Sequence, residues 1–350
     1  MKRTVLFLFV IMTVVFMLAG CGTEHASQGD QSDTRVVKDI DGTEVIIPKD
    51  ITKVADLWHA NNQVVLMLGG ADTLVSTTKN VQGLPWFAKV YPRIMEIPAP
   101  VKGTDVQMEE IQKVKPQVVL ASNKNQIEMA RNAGIPAVRV NFADYEGLRK
   151  TVTITADVLG GKAPEIAKQY IQYLDDKIKF SEDRTKSIND ADRPSVLHIV
   201  GGDNLLKVDG DKTIINEWIR YAGGKNAITA SGPQIVVTME EIVKADPDII
   251  IIGGTQSRKG IEQIMNDPQW ASLKAVQNGR VYSNPVGTFN WDRYSAESAL
   301  QILWAGKLIH PELFGDVDLV KETRDFYKTF LYYDLSDTEA QRIIAGEGPQ

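Results

Sequence analysis

Two stretches of the chain carry one pattern, a short amphipathic helix followed by an unbroken apolar run. Met108 to Ser122 reads MEEIQKVKPQVVLAS and Met239 to Gly253 reads MEEIVKADPDIIIIG, identical at six of fifteen positions with a constant offset of 131 residues. A repeat at that distance indicates two like lobes, since solenoid units recur every 20–50 residues. In the second copy Thr238 and Glu241 have the spacing of a capping box. Met239, Ile242 and Val243 then share one helical face. Asp246-Pro247 ends the helix, because a residue before proline is pushed out of the helical region. Ile249 to Ile252 is too short for a buried helix and predicts a parallel strand covered on both faces. Each unit delivers its strand to a polar or glycine-rich loop, Ser122-Asn123-Lys124-Asn125 in one copy and Gly253-Gly254-Thr255-Gln256 in the other.

The remaining segments fall around these units. Asp41-Gly42 between two β-rich runs, Arg35 to Pro48, predicts a hairpin. Lys53 to Leu57 is a strand ending at Trp58-His59-Ala60-Asn61, and Asn62 to Leu68 a helix stopped by Gly69-Gly70. Leu74 to Thr77 is a strand, followed by a loop holding Lys79, Pro85 and Trp86. After the first repeat unit come a helix near Gln126 to Ala133, a strand at Ala137 to Val140 and a helix from Tyr145 to Leu159. Pro164 opens a helix to about Lys186, where Ile166, Tyr170, Leu174 and Ile178 make an i+4 row. Ser195 to Val200 starts a second set of strands and helices: a helix at Thr213 to Ala222, the second repeat unit, a helix near Ile261 to Met265 and a strand at Arg280 to Ser283. Ala296 to Ile309 is an amphipathic helix, and Val317 to Ala345 reads as a helical tail. Strands alternating with helices indicate parallel sheets. The predicted fold is therefore α/β: two Rossmann-like lobes, each with a central sheet, joined by one long helix, with a ligand cleft between them. Residues 35–161 form the first lobe, 162–187 the linking helix, and 188–350 the second lobe with its tail.

Composition is ordinary, 43% apolar and 24% charged, and 350 residues suffice for two substantial cores. The first twenty residues differ. Lys2 and Arg3 precede a run from Val5 to Leu18 broken only by Thr13, which reads as an export signal over 1–20. It falls short of the roughly 20 apolar residues of a spanning helix. The only cysteine is Cys21, directly after Leu-Ala-Gly, a place that resembles the lipobox of bacterial lipoproteins. That resemblance implies a lipidated Cys21 on a polar tether over 21–34. Removal of Lys2 and Arg3 leaves 37 basic against 45 acidic side chains, a net charge of −8. Such a balance argues against nucleic acid as a partner.

An exported lipoprotein of two α/β lobes joined by one helix resembles the substrate-binding proteins of ABC importers. Within them it is similar to the class that delivers ferric siderophores, haem and cobalamin. The strand and loop Lys53–Asn61, both MEEI-x-K-x-x-P units, the Pro164 helix and WDRYS-x-E-x-x-L from Trp291 carry that resemblance. It implies a permease dimer with its ATPase as partner, attachment to the outer face of the cytoplasmic membrane through Cys21, and one acidic residue on each lobe for docking. By position in the repeat these are Glu109 and Glu240; in the second copy Glu241 belongs to the capping box, which leaves Glu240 free. Complementing the helix dipole, worth ~0.3–1 kcal/mol, is a second role that the same two carboxylates can fill. Ligands of α/β sheets bind at the carboxyl ends of the strands. Loops so placed offer Trp58, His59, Asn61, Trp86 and Lys124 from the first lobe and Asn204, Arg258, Trp291, Arg293 and Tyr294 from the second. Aromatic rings suit a bulky chelate and arginines suit carboxylate or phenolate oxygens.

Other chemistries lack their residues. A zinc site needs three or four clustered ligands, and His25, His198 and His310 lie in the tether, a strand and a helix end. There is no G-x-S-x-G elbow, no H-E-x-x-H and no phosphate loop, so no catalytic residue and no cofactor is assigned. The sequence reading is a non-enzymatic carrier of a ferric chelate, its cargo the metal complex and not a bare ion. Molybdate or tungstate, haem and a corrinoid are the alternative cargoes, and a lipid-anchored enzyme or a structural lipoprotein the alternatives of other classes.

Overall fold

The computed structural model describes residues 33–102, 105–254 and 256–350. Cys21 and the tether to residue 32 lie outside the described residues, as do Gly103, Thr104 and Thr255. The two repeat strands, Val118–Ala121 and Ile249–Ile252, are buried along their whole length and sit inside their sheets. Burying each Val or Ile contributes about 1.5–3 kcal/mol, which is why these runs take central places. In the first lobe four parallel strands lie in the order Leu74–Ser76, Val54–Asp56, Val118–Ala121, Ala137–Arg139. In the second, Ile249–Ile252 runs parallel between Ser195–Ile199 and Val281–Ser283. Lys207–Val208 and Ile235–Val236 extend that sheet antiparallel. The hairpin Thr34–Lys38 and Glu44–Pro48 is a separate two-stranded sheet turned at Gly42, whose φ of 83° suits glycine.

The repeat units match in backbone as well as sequence. Thr238 and Glu241 form the capping box, whereas Gln107 gives the first copy no side-chain cap. Lys115 and Asp246, each before the unit's proline, take left-handed conformations with φ of 48° and 40°. The sequence predicts only that Asp246 leaves the helical region, and this conformation does so, avoiding the clash with proline that continuing the helix would cause.

A 23-residue helix, Ala163–Thr185, links the lobes and buries Ala167, Tyr170, Leu174 and Ile178 along one face. It packs on the helices Tyr145–Leu159 and Ser298–Ile309. Two segments differ from the sequence reading. The loop around Trp86 contains short helices, Lys79–Gln82 and Pro85–Val90, with Pro85 in the first turn where its missing N–H costs nothing. The tail is two helices, Leu319–Phe330 and Asp337–Ile344, instead of one. Tyr332 with φ of 56° breaks the first, and Ser336 with Glu339 caps the second. Apolar spacing continues through both helices, so periodicity alone does not reveal the break.

The lobes are fastened by a buried polar knot. Gln63, on the helix His59–Met67 of the first lobe, donates through Nε2 to Thr288 Oγ1 at 2.7 Å and Glu297 Oε2 at 2.6 Å. Its Oε1 accepts from Ser295 Oγ at 3.2 Å and Ala296 N at 2.7 Å. Glu297 also accepts from Thr288 Oγ1, Phe289 N, Trp291 Nε1 and Tyr327 OH at 2.8, 3.0, 3.0 and 2.6 Å. Burial pushes the Glu297 carboxyl up, and its hydrogen bonds from Tyr327, Phe289, Thr288 and Trp291 pull against that. The Thr288 and Tyr327 hydroxyls can accept as well as donate, but the N–H groups of Gln63, Phe289 and Trp291 only donate. Glu297→Gln places an NH2 group against those donors and is expected to lower unfolding free energy by about 2–4 kcal/mol. Urea unfolding measures it; a loss below ~0.5 kcal/mol contradicts the role of the knot.

Candidate site at the lobe boundary

Asp56 ends its strand at the lobe boundary and sets the turn that follows. Its buried carboxylate accepts from Trp58 N at 3.1 Å and Asn61 Nδ2 at 2.9 Å. Burial raises the pKa of Asp56, and those two hydrogen bonds oppose the rise. Trp58 and His59 thereby begin the helix His59–Met67 facing the second lobe. Trp58 meets Phe142 edge-on at 5.3 Å and Tyr294 at 6.3 Å, and Phe142 meets Tyr294 at 6.0 Å. His59 stacks on Phe289 at 5.5 Å with 19° between the planes. Five rings, three from the first lobe and two from the second, therefore line one boundary. Among the described residues neither the His59 ring nitrogens nor the Tyr294 hydroxyl has a hydrogen-bond partner. Burial pulls the His59 pKa down, so the imidazole is neutral at pH 7. Burial pushes the Tyr294 phenol up. Asn290 Oδ1, in the same loop, is buried with no partner.

Tyr294 is held from both sides. With φ of 52° it occupies backbone that costs a bulky residue of order 1–3 kcal/mol. Ser295, Ala296 and Glu297 after it belong to the knot. Asp292 and Arg293 before it belong to a second buried cluster. There His198 Nδ1 lies 2.9 Å from Asp209 Oδ2 and Nε2 3.0 Å from Asp292 Oδ2. Arg293 reaches Asp209 Oδ2 at 2.6 Å and Asp292 Oδ2 at 3.4 Å. Two carboxylates and one guanidinium leave a single negative charge, which an imidazolium cancels. Burial alone disfavours the His198 cation, but hydrogen bonds to Asp209 and Asp292 outweigh it and raise the pKa. Burial likewise opposes ionisation of both aspartates. His198 reverses this chiefly at Asp209 and the Arg293 charge at Asp292, so both fall below the usual range.

The structure gathers some of the residues chosen from sequence and disperses others. Trp58, His59 and Tyr294 come together. Asn61 instead sits in the core, bonded to Asp56 and to Thr155 Oγ1 at 2.9 Å, because the helix turns its side chain inward. Trp291 is fully buried with its Nε1–H on Glu297, and Arg293 is committed to its two aspartates. Trp86 is buried under the tail, its Nε1–H donating to Glu347 O at 2.7 Å, and Arg258 pairs with the Glu347 carboxylate. Lys124 is exposed, 3.8 Å from Asp41 of the hairpin. Asn204 closes a turn on Leu206 N at 3.1 Å. Phe142 and Phe289 were not singled out from sequence. Phe142 shortly follows the strand Ala137–Arg139, and that position at a strand's carboxyl end is the signal that finds it. A groove of about 800 Å³ beside the hairpin is lined by Arg35, Lys38, Arg149, Ile154 and Pro164 and includes none of the five rings.

Both predicted docking carboxylates are exposed, and neither forms an ion pair among the described residues. Their neighbours are in use: Glu110 pairs with Lys113 at 2.5 Å, and Glu241 closes the capping box on Thr238 N at 2.7 Å. Each copy thus leaves its first glutamate free.

Residues 25–286 match a protein family described as periplasmic binding protein. The Bacillus subtilis protein YvrC, an uncharacterized ABC transporter substrate-binding lipoprotein, is 26% identical over 298 residues, covering 80% of this chain and 89% of its own. The molybdate-binding protein MolA of Haemophilus influenzae is 23% identical over 365 residues, covering 95% and 100%. A solved periplasmic solute binding protein from Veillonella parvula superimposes with a TM-score of 0.78 at 28% identity, covering 89% of this chain and 97% of that one.

The charge cluster behind Tyr294 gives a pH dependence of known sign. Carboxylates whose pKa falls on folding stabilise above about pH 4, and this is lost as pH drops through their folded values. An imidazole whose pKa rises stabilises below about pH 6.5, and this is lost as pH climbs through its folded value. Between pH 6 and 9 the urea midpoint of the wild type is expected to descend, and that of His198→Asn to stay flatter from a lower start. Parallel curves would show that the imidazolium contributes nothing.

Proposed function

The chain belongs to the periplasmic binding protein family, and from that premise we propose that it captures a ferric chelate between its lobes and hands it to an ABC importer. The observation that carries this reading is the five-ring boundary with an unpartnered neutral imidazole and an unpartnered phenol. Ring faces cover a bulky chelate over a large area. His59 and Tyr294 supply a nitrogen and a hydroxyl to hydrogen-bond its carboxylate or phenolate oxygens. The arginines expected from sequence to do this are committed elsewhere, Arg293 to Asp209 and Arg258 to Glu347. A bare tetrahedral oxyanion calls for several convergent donors or a free cation, and the ring cluster brings one donor from each of its two polar groups. Molybdate is nevertheless the second reading, because the match to MolA runs its whole length. Haem or a corrinoid would use the same ring faces.

Glu109 and Glu240 serve in this reading as the permease contacts, one on each lobe. Close charge pairs that become desolvated at an interface couple by ~1.5–7 kcal/mol, far more than the same groups gain in water. Cys21, lipidated, would keep the protein at the outer face of the cytoplasmic membrane, each buried methylene contributing about 0.8 kcal/mol. Among the described residues no helix is long and apolar enough to cross a membrane.

Tryptophan fluorescence on titration with ferric citrate, a ferric catecholate and molybdate tests the cargo. Saturable quenching by a ferric chelate is expected, weakened about tenfold by His59→Ala, the loss of one hydrogen bond and a stacked ring. Saturation by molybdate alone sinks the proposal. For docking, Glu109→Arg combined with Glu240→Arg is expected to stop uptake into cells at unchanged ligand affinity; persisting uptake removes both residues from the permease contact.

A further inference from the structure

The segment after Phe314 adds no strand to either sheet, yet it touches the linking helix and both lobes. On the linking helix, Tyr170 and Tyr173 meet Phe330 at 5.7 and 5.5 Å, and Lys177 pairs with Glu322 at 2.7 Å. On the second lobe, Tyr327 enters the knot and Val286 N donates to Ile343 O at 3.1 Å. A Cβ on Gly346 would lie 2.5 Å from Ser283 Oγ and 2.7 Å from Asn284 O, so this segment rests directly on the end of a strand.

Its reach to the first lobe is of another kind. Tyr332 OH donates to Met67 O at 3.3 Å, Lys89 Nζ pairs with Glu339 at 2.7 Å, and Trp86 Nε1 donates to Glu347 O at 2.7 Å. The Glu347 side chain meanwhile turns to the second lobe, where Arg258 holds it, with Arg342 of the tail 3.0 Å away. One residue therefore has its backbone on the first lobe and its carboxylate on the second. The ion pairs involved are partly exposed, and such pairs hold weakly.

The knot, the linking helix and Tyr145, which bonds Glu217 at 2.8 Å and Ser298 O at 3.0 Å, join the lobes from within, and the tail adds a fastening that bridges them from outside the sheets. We propose that residues 331–350 are a strap that fixes the gap between the lobes, with Glu347 as its clasp. The strap thereby limits the size of cargo that the cleft admits, making Glu339 and Glu347 specificity-determining residues. The size limit rests on the reading of the boundary as the cargo site; the fastening itself does not.

The test places spin labels on exposed Glu128→Cys of the first lobe and Glu262→Cys of the second, in a Cys21→Ser chain. Pulsed electron resonance gives the distance distribution between them with no cargo present. Two unclasped forms are compared with the intact strap: Lys89→Ala with Glu347→Ala, and a chain lacking residues 346–350, each checked for folding by circular dichroism. A longer and broader distribution in both is expected. An unchanged distribution in either folded form overturns the strap. Ferric citrate and the bulkier ferrioxamine B are then titrated into intact and unclasped protein. A shift of preference toward the bulkier chelate is expected on unclasping, and an unchanged preference overturns the size limit. If neither chelate binds either protein, the ferric cargo reading fails and the size limit with it, while the label distances still decide the strap.

Discussion

Five donors converging on the carboxylate of Glu297 are the constraint that the rest of the molecule accommodates. The group is buried, and a buried carboxylate is costly unless its lone pairs are met. Gln63 comes from the first lobe, Thr288, Phe289 and Trp291 from the loop before Glu297, and Tyr327 from the tail. Separating the lobes would break the four bonds of Gln63, to Glu297, Thr288, Ser295 and Ala296, at once. The knot is therefore a specificity device as much as an adhesive: it admits one relative placement of helix, loop and tail, and an apolar contact of equal area would admit many.

The stretch from Trp291 to Glu297 shows how that constraint becomes a site. Trp291 and Glu297 close the knot, Asp292 and Arg293 close the charge cluster with His198 and Asp209, and Tyr294 stands between them in strained backbone. Strain at one residue persists when its neighbours over-determine its position. The phenol ring is thus presented toward Trp58 and Phe142 by a loop with little freedom to retract. The linking helix, packed on Tyr145–Leu159 and on Ser298–Ile309, ties the same two bodies together a second time.

The architecture was legible in the sequence because its determinants are local or periodic. The duplicated MEEI units, the capping box at Thr238 and the linking helix from Pro164 follow from spacing and turn chemistry alone. The candidate site was legible in part. Trp58, His59 and Tyr294 were chosen because they sit in loops at strand ends, and the structure places all three on the lobe boundary. Asn61, Trp291 and Arg293 carry the same residue types in the same loops, and nothing in their spacing tells a ligand contact from a buried hydrogen bond. That distinction depends on partners such as Thr155 and Asp209, 94 and 84 residues away in sequence. Trp86 and Arg258 are occupied by Glu347, and the break in the tail that brings Glu347 there leaves no mark in the apolar pattern.

The most direct test of the account is where a metal lies when the protein holds its cargo. Crystals grown with a bound ferric chelate, measured at the iron absorption edge, give that position without interpretation of the surrounding density. The account predicts an anomalous peak at the boundary of the two sheets, within reach of the His59 and Tyr294 side chains. A peak elsewhere, such as beside the hairpin at Arg35 and Arg149, would contradict it.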